Sequence, residues 1–494
     1  MDGELRNDLL DKLRDVRRQV VDNGAAMVAR WDPMLSRGAF KDSAVNLSHY
    51  LALRQLDLRP LQADLAPLGL ASLGHCEGHV LPSLDAIIAN MEMMRGHDMP
   101  ETRRPSADEY YAGRKLLEKN SATVFGPRPT GRETRILVTL APKTAANPEA
   151  LRGLFDAGMD CARINCGRDS VAQWSMMIDN VQAMSAEVGR KCPVLVDLAG
   201  PKIRTDIVVT PKKTKKVQAG DKILLAFDTP DTGNGFSFQA NCAMPEVLRQ
   251  IKAGANVSIR DGLISGTVEE IRDDGVVMAV VRTPPGGYPL QEKRGINFPG
   301  SAVVVPPLTD KDLKDLDFVA ERADGVAYSF VQRPEDIAWL QDELDKRRPG
   351  QSPMPIIAKI ETGLAFSNLP ELIVQAAGAN PFGVMIARGD LAVEIGYERL
   401  SEVQEEILWL CDAAHVPVIW ATQVLESLVK RGMPSRGEFT DAAMAERAEC
   451  VMLNKGAYIG EGVAVLDNVL TRMESHNRNR SRQLRPLRAW ARAD

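Results

Sequence analysis

The sequence has no apolar stretch approaching the roughly 20 residues that a membrane-spanning helix needs. Its start, Met1-Asp2-Gly3-Glu4, is acidic, so neither a transmembrane segment nor a signal peptide is expected. Cysteine is sparse: seven residues of 494, odd in number, scattered and never spaced Cys-x-x-Cys. That pattern argues against a disulfide framework and against a structural zinc site, and fits a reducing, cytoplasmic location. An excess of one charge is also lacking. Lys plus Arg (61) nearly balances Asp plus Glu (66), and a net charge of -5 offers no footprint for nucleic acid or an anionic membrane. Any anion must be bound locally. Aromatic residues make up only 5%, yet 44% hydrophobic and 26% charged residues are ordinary for a globular chain. At this length one core does not suffice, and two or three domains are expected.

From about Glu4 to Met94 apolar residues recur at helical steps, as in Leu9, Leu10, Leu13, Val16 and Val20, then Leu84, Ile87, Ile88 and Met91. Pro100, Pro105, Pro127 and Pro129 then mark a linker, so residues 1–130 read as a helical N-terminal extension. A different rhythm follows, in which short β-rich runs each precede a turn and a helical pattern. The runs are Arg135–Leu140, Asp160–Cys166, Pro193–Leu198, Gly325–Phe330, Pro355–Glu361, Gly383–Asp390, Pro417–Gln423 and Cys450–Lys455. Eight such β/α units close a barrel whose chemistry sits at the carboxyl ends of its strands. The fold class expected is α/β: a (β/α)8 TIM barrel over 131–205 and 300–480, with a tail at 481–494. The rhythm breaks once, at 206–299, where alternating segments and Gly-Asp turns suggest a small β-barrel lid inserted after the third strand.

Each run ends in groups that a purely structural strand does not need, Thr139, Asp197 and Ser329 among them, and all would converge at one mouth. Lys359 and Glu361, two apart at the end of the fifth run, point to one face and enter one cavity together. By itself this pair is as readily a salt bridge inside the barrel. Asp390 closes the next run as Arg388-Gly389-Asp390 and can join Glu361 in holding a hard divalent ion, since magnesium takes only one or two carboxylates plus substrate and water. A helix cap is the plainer alternative for Asp390, but a cap needs no neighbouring Arg-Gly, and Gly389 lets backbone amides approach an anion. Arg163 and Asn165 aim a cation and an amide at the same mouth, an arrangement suited to phosphate. Thr422 ends the seventh run, where a hydroxyl can orient a substrate or simply cap the strand. His75-Cys76-Glu77-Gly78-His79 has metal-ligand residue types, but its glycines read as a turn. The run Lys212-Lys213-Thr214-Lys215-Lys216 reads as a solvated loop, and Met91, Met93 and Met94 as packing.

These segments resemble the pyruvate kinase family over roughly 131 to 475. The resemblance rests on Ala162-Arg163-Ile164-Asn165, Asp197-Leu198-Ala199-Gly200-Pro201-Lys202-Ile203-Arg204-Thr205, Asp261-Gly262-Leu263-Ile264-Ser265 and Lys293-Arg294-Gly295-Ile296-Asn297-Phe298-Pro299-Gly300. It continues through Lys359-Ile360-Glu361, Ala387-Arg388-Gly389-Asp390-Leu391 and Ala421-Thr422-Gln423-Val424-Leu425-Glu426-Ser427. It implies phosphoryl transfer from phosphoenolpyruvate to ADP, giving pyruvate and ATP. Lys359, Arg163 and Thr422 would be catalytic. Glu361 and Asp390 would hold magnesium or manganese, and the backbone around Arg388, Gly389 and Asp390, with Thr422, would position the substrate carboxylate. Asn165, Arg168, Arg204 and Arg294 would meet the nucleotide.

Lys202 stands where many members carry Glu, which resembles the potassium-independent branch, and its ammonium would replace the monovalent cation. Of that cation's site, Asn165 and Asp197 match the family, but Gly167 replaces the usual Ser. Asn454-Lys455-Gly456-Ala457 stands in place of the usual Ser-Gly-Glu-Thr and lacks a hydroxyl and a carboxylate near where enolpyruvate is protonated. No counterpart of the family's C-terminal regulatory domain is expected, and the family leads one to expect a homo-oligomer. Two other readings use the same residues. A metal-dependent lyase or carboxylase acting on a 2-oxo acid enolate would need no nucleotide, whereas the retained Lys293, Arg294 and Arg204 favour one. A non-catalytic sensor of phosphoenolpyruvate or nucleotide would have lost the metal ligands.

Overall fold

The computed structural model describes residues 3–70, 72–94, 101–211, 215–231, 233, 235–301, 303–474, 476–478 and 481–482. The tail beyond 482 and Lys212-Lys213-Thr214 lie outside the described residues. Eight parallel strands form a closed barrel in sequence order. They are β1 (Arg135–Thr139), β2 (Cys161–Asn165), β3 (Val194–Asp197), β4 (Gly325–Tyr328), β5 (Ile356–Ile360), β6 (Phe382–Ala387), β7 (Val418–Ala421) and β8 (Cys450–Leu453). The α/β barrel expected from the eight runs is therefore the observed fold. Among the described residues no helix is long and apolar enough to cross a membrane.

The period of two along a strand sorts each run's side chains between the barrel interior and the surrounding helices. Leu137, Cys161, Leu195, Ala327, Ile357 and Met385 share the interior cluster. Two residues further along the same strands come Thr139, Arg163, Asp197, Ser329, Lys359 and Ala387. The polar members of that set are all buried, so the register that packs the interior also delivers the polar groups to one mouth. The opposite end is closed by the helix Ala112–Phe125, whose Val124 and Phe125 join the interior cluster.

Between β3 and β4 a seven-stranded sheet with its own apolar core is inserted. Its spatial order is Ile296–Asn297, Asn256–Ile259, Ile264–Arg272, Gly275–Arg282, Lys222–Ala226, Phe238–Cys242 and Thr205–Val209. The two edges come together. Thr205 N–H donates to Arg294 O at 2.8 Å, Lys293 N–H to Thr205 O at 2.7 Å, and Ile296 N–H to Ile203 O at 2.9 Å. The sheet thus curls toward closure, and those bonds fasten the two chain segments that join it to the barrel.

The N-terminal helices Gly3–Trp31, Lys41–Leu53 and Val80–Met94 share the core that surrounds the barrel. Their seam with the helix Leu400–Ala413 is polar. Ser43 Oγ lies 2.9 Å from His415 Nδ1, and His415 Nε2 lies 2.9 Å from Gly78 O. Nε2 must donate to that carbonyl, so Nδ1 accepts from the serine. Asn46 Nδ2 donates to Glu77 O at 2.7 Å and to Ala413 O at 2.8 Å. The turn Glu77–His79 is accordingly a docking piece, and no group of three or more potential ligands for a metal occurs among the described residues. A Cβ at Gly113 would lie 2.0 Å from Gly78 O and 2.3 Å from His415 Nε2, so only glycine fits against this turn.

Burial holds the His415 imidazole below its ordinary range. The unfolded chain therefore binds the proton first, and stability present above the ordinary value, about 6.5, is lost as the pH falls through it. His49 and His79 are depressed by burial in the same direction. Melting temperature should decline from pH 7 to pH 5.5, and the decline should be shallower in His415→Asn, which tolerates the position's φ of +51°. Equal slopes in the two proteins would show that the seam does not titrate.

Candidate active site

At the mouth, one carboxylate joins two cations. Asp197, 1% exposed at the end of β3, accepts from Arg163 Nε at 2.9 Å and again from its Nη2. Its other oxygen lies 3.3 Å from Lys359 Nζ and accepts from Ser329 Oγ at 3.0 Å. Lys359 also donates to Ser329 Oγ at 2.6 Å and pairs with Glu361 at 3.1 Å. Arg163 Nη1 donates to Thr139 Oγ1 at 2.9 Å. Five neighbouring strands, β2, β1, β3, β4 and β5, thereby contribute to one hydrogen-bonded cluster.

The charges set one another. Burial pushes the Asp197 carboxyl up, but Lys359 and Arg163 overcome it and hold the group below the usual carboxylate range. Burial lowers Lys359, and Asp197 with Glu361 more than restores it, so its ammonium stays charged. Glu361 goes the other way: burial, with Asp390 and Asp197 adding repulsion, raises it despite Lys359. A carboxylate pushed up by burial and by a second carboxylate is one that a bound cation would favour. Glu361 Oε2 accepts from Phe330 N–H at 2.6 Å, and Phe330 adopts a φ of +58°, a strained conformation of the kind that clusters at functional sites.

Asp390 opens the helix Arg388–Ile395 after β6, and Lys202 Nζ donates to it at 2.6 Å. The same ammonium lies 5.8 Å from the Phe330 ring centre. Lys202, Asp390, Phe330 and Glu361 thus form a chain of contacts from the lid stem to the Lys359 cluster. Two carboxylates that interact electrostatically are a donor set of the kind magnesium or manganese takes together with substrate and water oxygens.

After β7, Thr422, Gln423 and Leu425 have φ of +64°, +59° and +45°, which is costly for a β-branched residue such as Thr422. Thr422 Oγ1 accepts from Gly389 N–H at 2.9 Å. Arg388 does not reach into the mouth as a substrate ligand. Its guanidinium is taken up by Ala421 O at 2.9 Å, by Thr422 O and by Asp441, and it stacks 4.7 Å from the Trp420 ring. The side chain supports the loop and leaves the backbone at Gly389 and Asp390 at the start of the helix. Asn165 is likewise committed, its Oδ1 accepting from Gly167 N–H at 2.8 Å. Arg168 is exposed on that loop. On the lid, Arg204 donates to Lys293 O at 3.4 Å, with its guanidinium lowered by burial and within electrostatic reach of Asp390 and Arg168. Arg294 donates to Gln291 Oε1 at 2.9 Å.

A family model described as "Pyruvate kinase, barrel domain" matches residues 131–463. The chain belongs to the pyruvate kinase family. It is 34% identical over 356 residues to pyruvate kinase of Hypocrea jecorina, covering 69% of this chain and 62% of that one. It is 32% identical to pyruvate kinase 2 of Trypanosoma brucei brucei, covering 73% and 71%, and 31% identical to pyruvate kinase PKLR of Homo sapiens, covering 70% and 59%. The chain thus spans less than two thirds of the first and third of these relatives. A solved pyruvate kinase from Cryptosporidium parvum superposes with a TM-score of 0.63 at 30% identity, over 72% of each chain. Residues 1–130 lie outside the pyruvate kinase match.

Sequence reasoning placed Asp197, Ser329 and Thr139 at the mouth, matched Asp197 only to the monovalent-cation site, and gave Ser329 and Thr139 no site role. The available signal was that Asp197 lies at the inward parity of β3, beside two strands ending in inward cations. The Lys202–Asp390 pair also went unread, because it depends on the path of the lid stem. Asp197→Asn should strand two buried cations and destabilise the fold by about 3–5 kcal/mol, the usual cost of breaking a buried pair. Urea unfolding with an unchanged midpoint would show that Asp197 does not balance them.

Proposed function

We propose that the chain transfers the phosphoryl group of phosphoenolpyruvate to ADP, yielding pyruvate and ATP. The observation that carries this reading is the convergence of Arg163, Lys359, Glu361 and Asp390 on one mouth. Arg163 and Lys359 hold the phosphate, and Lys359 also neutralises charge on the enol oxygen as its bond to phosphorus breaks and the bond to the ADP oxygen forms. The backbone at the start of the helix, around Gly389 and Asp390, receives the carboxylate, with Thr422 holding the turn through its bond from Gly389 N–H. Glu361 and Asp390 would hold magnesium or manganese, which supplies positive charge to the phosphoryl oxygens when bound. Such transfers depend on positioning and fixed charge more than on covalent chemistry. Arg204, Arg294 and Arg168 frame the nucleotide side, and these lid and rim cations favour a nucleotide over an enolate lyase that needs none. Lys202, already bonded to Asp390, provides the charge for which other members recruit potassium.

Purified protein should form pyruvate from phosphoenolpyruvate, ADP and magnesium in a coupled assay, with Lys359→Met reducing the rate by about three orders of magnitude or more, as loss of a transition-state charge does. Equal inertness of both proteins refutes the reading. Replacing potassium with tetramethylammonium should change the rate by less than twofold, and a strong potassium requirement would exclude the role given to Lys202.

A further inference from the structure

Lys455 follows β8 on a loop whose backbone is fixed from below. Tyr458 N–H donates to Val429 O at 3.0 Å, and a Cβ at Gly456 would lie 2.3 Å from that same carbonyl. The packing admits no side chain at 456, so a carboxylate cannot stand there. The long side chain of this loop is Lys455, which reaches past the end of β1 to the loop after β2 and rests with Nζ 3.3 Å from the Asp169 carboxylate.

Asp169 has a φ of +66° and does not cap the helix Val171–Val188 that it precedes. Ser170 does, accepting from Gln173 N–H within a reciprocal capping box. The Asp169 carboxylate is therefore spare, apart from Lys455. The two side chains are 30% and 19% exposed, and an ion pair of that kind contributes about 1 kcal/mol or less. Lys455 can exchange it for a stronger anion at little cost.

Position decides which anion. Under the pair lies β1, whose last residue, Thr139, is already bonded to Arg163. Lys455 therefore serves the rim and not the deep cluster around Lys359. Arg168, exposed and next in sequence to Asp169, lies on the same loop, and Arg204 is within electrostatic reach of Arg168.

Resting on the proposed reaction, we propose that Lys455 is a specificity-determining residue for the nucleoside diphosphate: it leaves Asp169 and binds a phosphate of ADP from the β8 side. Asp169 is then a competitor for Lys455, which gives the two positions opposite signs. ADP affinity, read by titration calorimetry with magnesium present, should weaken about tenfold in Lys455→Gln, the usual scale for a charge-assisted hydrogen bond. It should tighten in Asp169→Asn and return toward wild type in Lys455→Arg. In turnover, the loss should fall on KM for ADP and not on kcat. A purely structural ion pair would move both single variants in the same direction, and that result, or an unchanged ADP affinity in Lys455→Gln, overturns the assignment. Calorimetry needs no turnover. A wild-type chain that binds ADP but forms no pyruvate refutes the reaction and leaves the sign comparison decisive, whereas one that binds no ADP refutes the role of Lys455.

Discussion

The mouth of this barrel depends on one buried carboxylate shared by two cations. Asp197 lies between Arg163 and Lys359, with a different oxygen turned to each. Two positive side chains on neighbouring strands would otherwise repel each other where little water screens them. Because Asp197 is held below the usual carboxylate range and Lys359 above its ordinary value, both keep their charge, and the cations are fixed in place at the mouth. An anion entering it therefore meets groups already oriented. That preorganisation is what transfer through a loose phosphoryl transition state demands.

The lid is coupled to this centre through its stem. Lys202 is bonded to Asp390, and the stem continues into Arg204 and Thr205, where the sheet's edges are fastened. Asn297, from the other stem, donates to Glu394 at 3.0 Å. Both polar contacts land on the helix that begins with Arg388, the helix that also carries Asp390. At the far end of the barrel, the N-terminal helices are joined by apolar packing and by the His415 seam, remote from the mouth.

The barrel was legible because strand periodicity is strict. Once the eight runs were found, parity alone brought Arg163, Lys359 and Glu361 to one end. Parity says where a side chain points and not what it touches, so the linking roles of Asp197 and Ser329 did not emerge. Loop chemistry was less legible still. Asn165 bonds to its own turn, and the buried Arg388 supports the Thr422 loop, because a polar side chain takes the nearest unsatisfied backbone atom. The His75–His79 segment, with its metal-like residue types, became a docking turn once Asn46 and His415 were folded against its carbonyls. Those partners are hundreds of residues apart or on other helices, and no local pattern announces them.

On the proposed reading a carboxylate pair that holds the metal adjoins a cation pair that holds the phosphate, so metal and substrate should each strengthen the other's binding. Electron paramagnetic resonance of manganese, titrated into the protein with and without phosphoenolpyruvate, tests that directly. One manganese per chain should bind, bind more tightly when phosphoenolpyruvate is present, and be lost when both Glu361 and Asp390 are changed to amides. Manganese that binds equally well to the doubly substituted protein, or that ignores phosphoenolpyruvate, would contradict it.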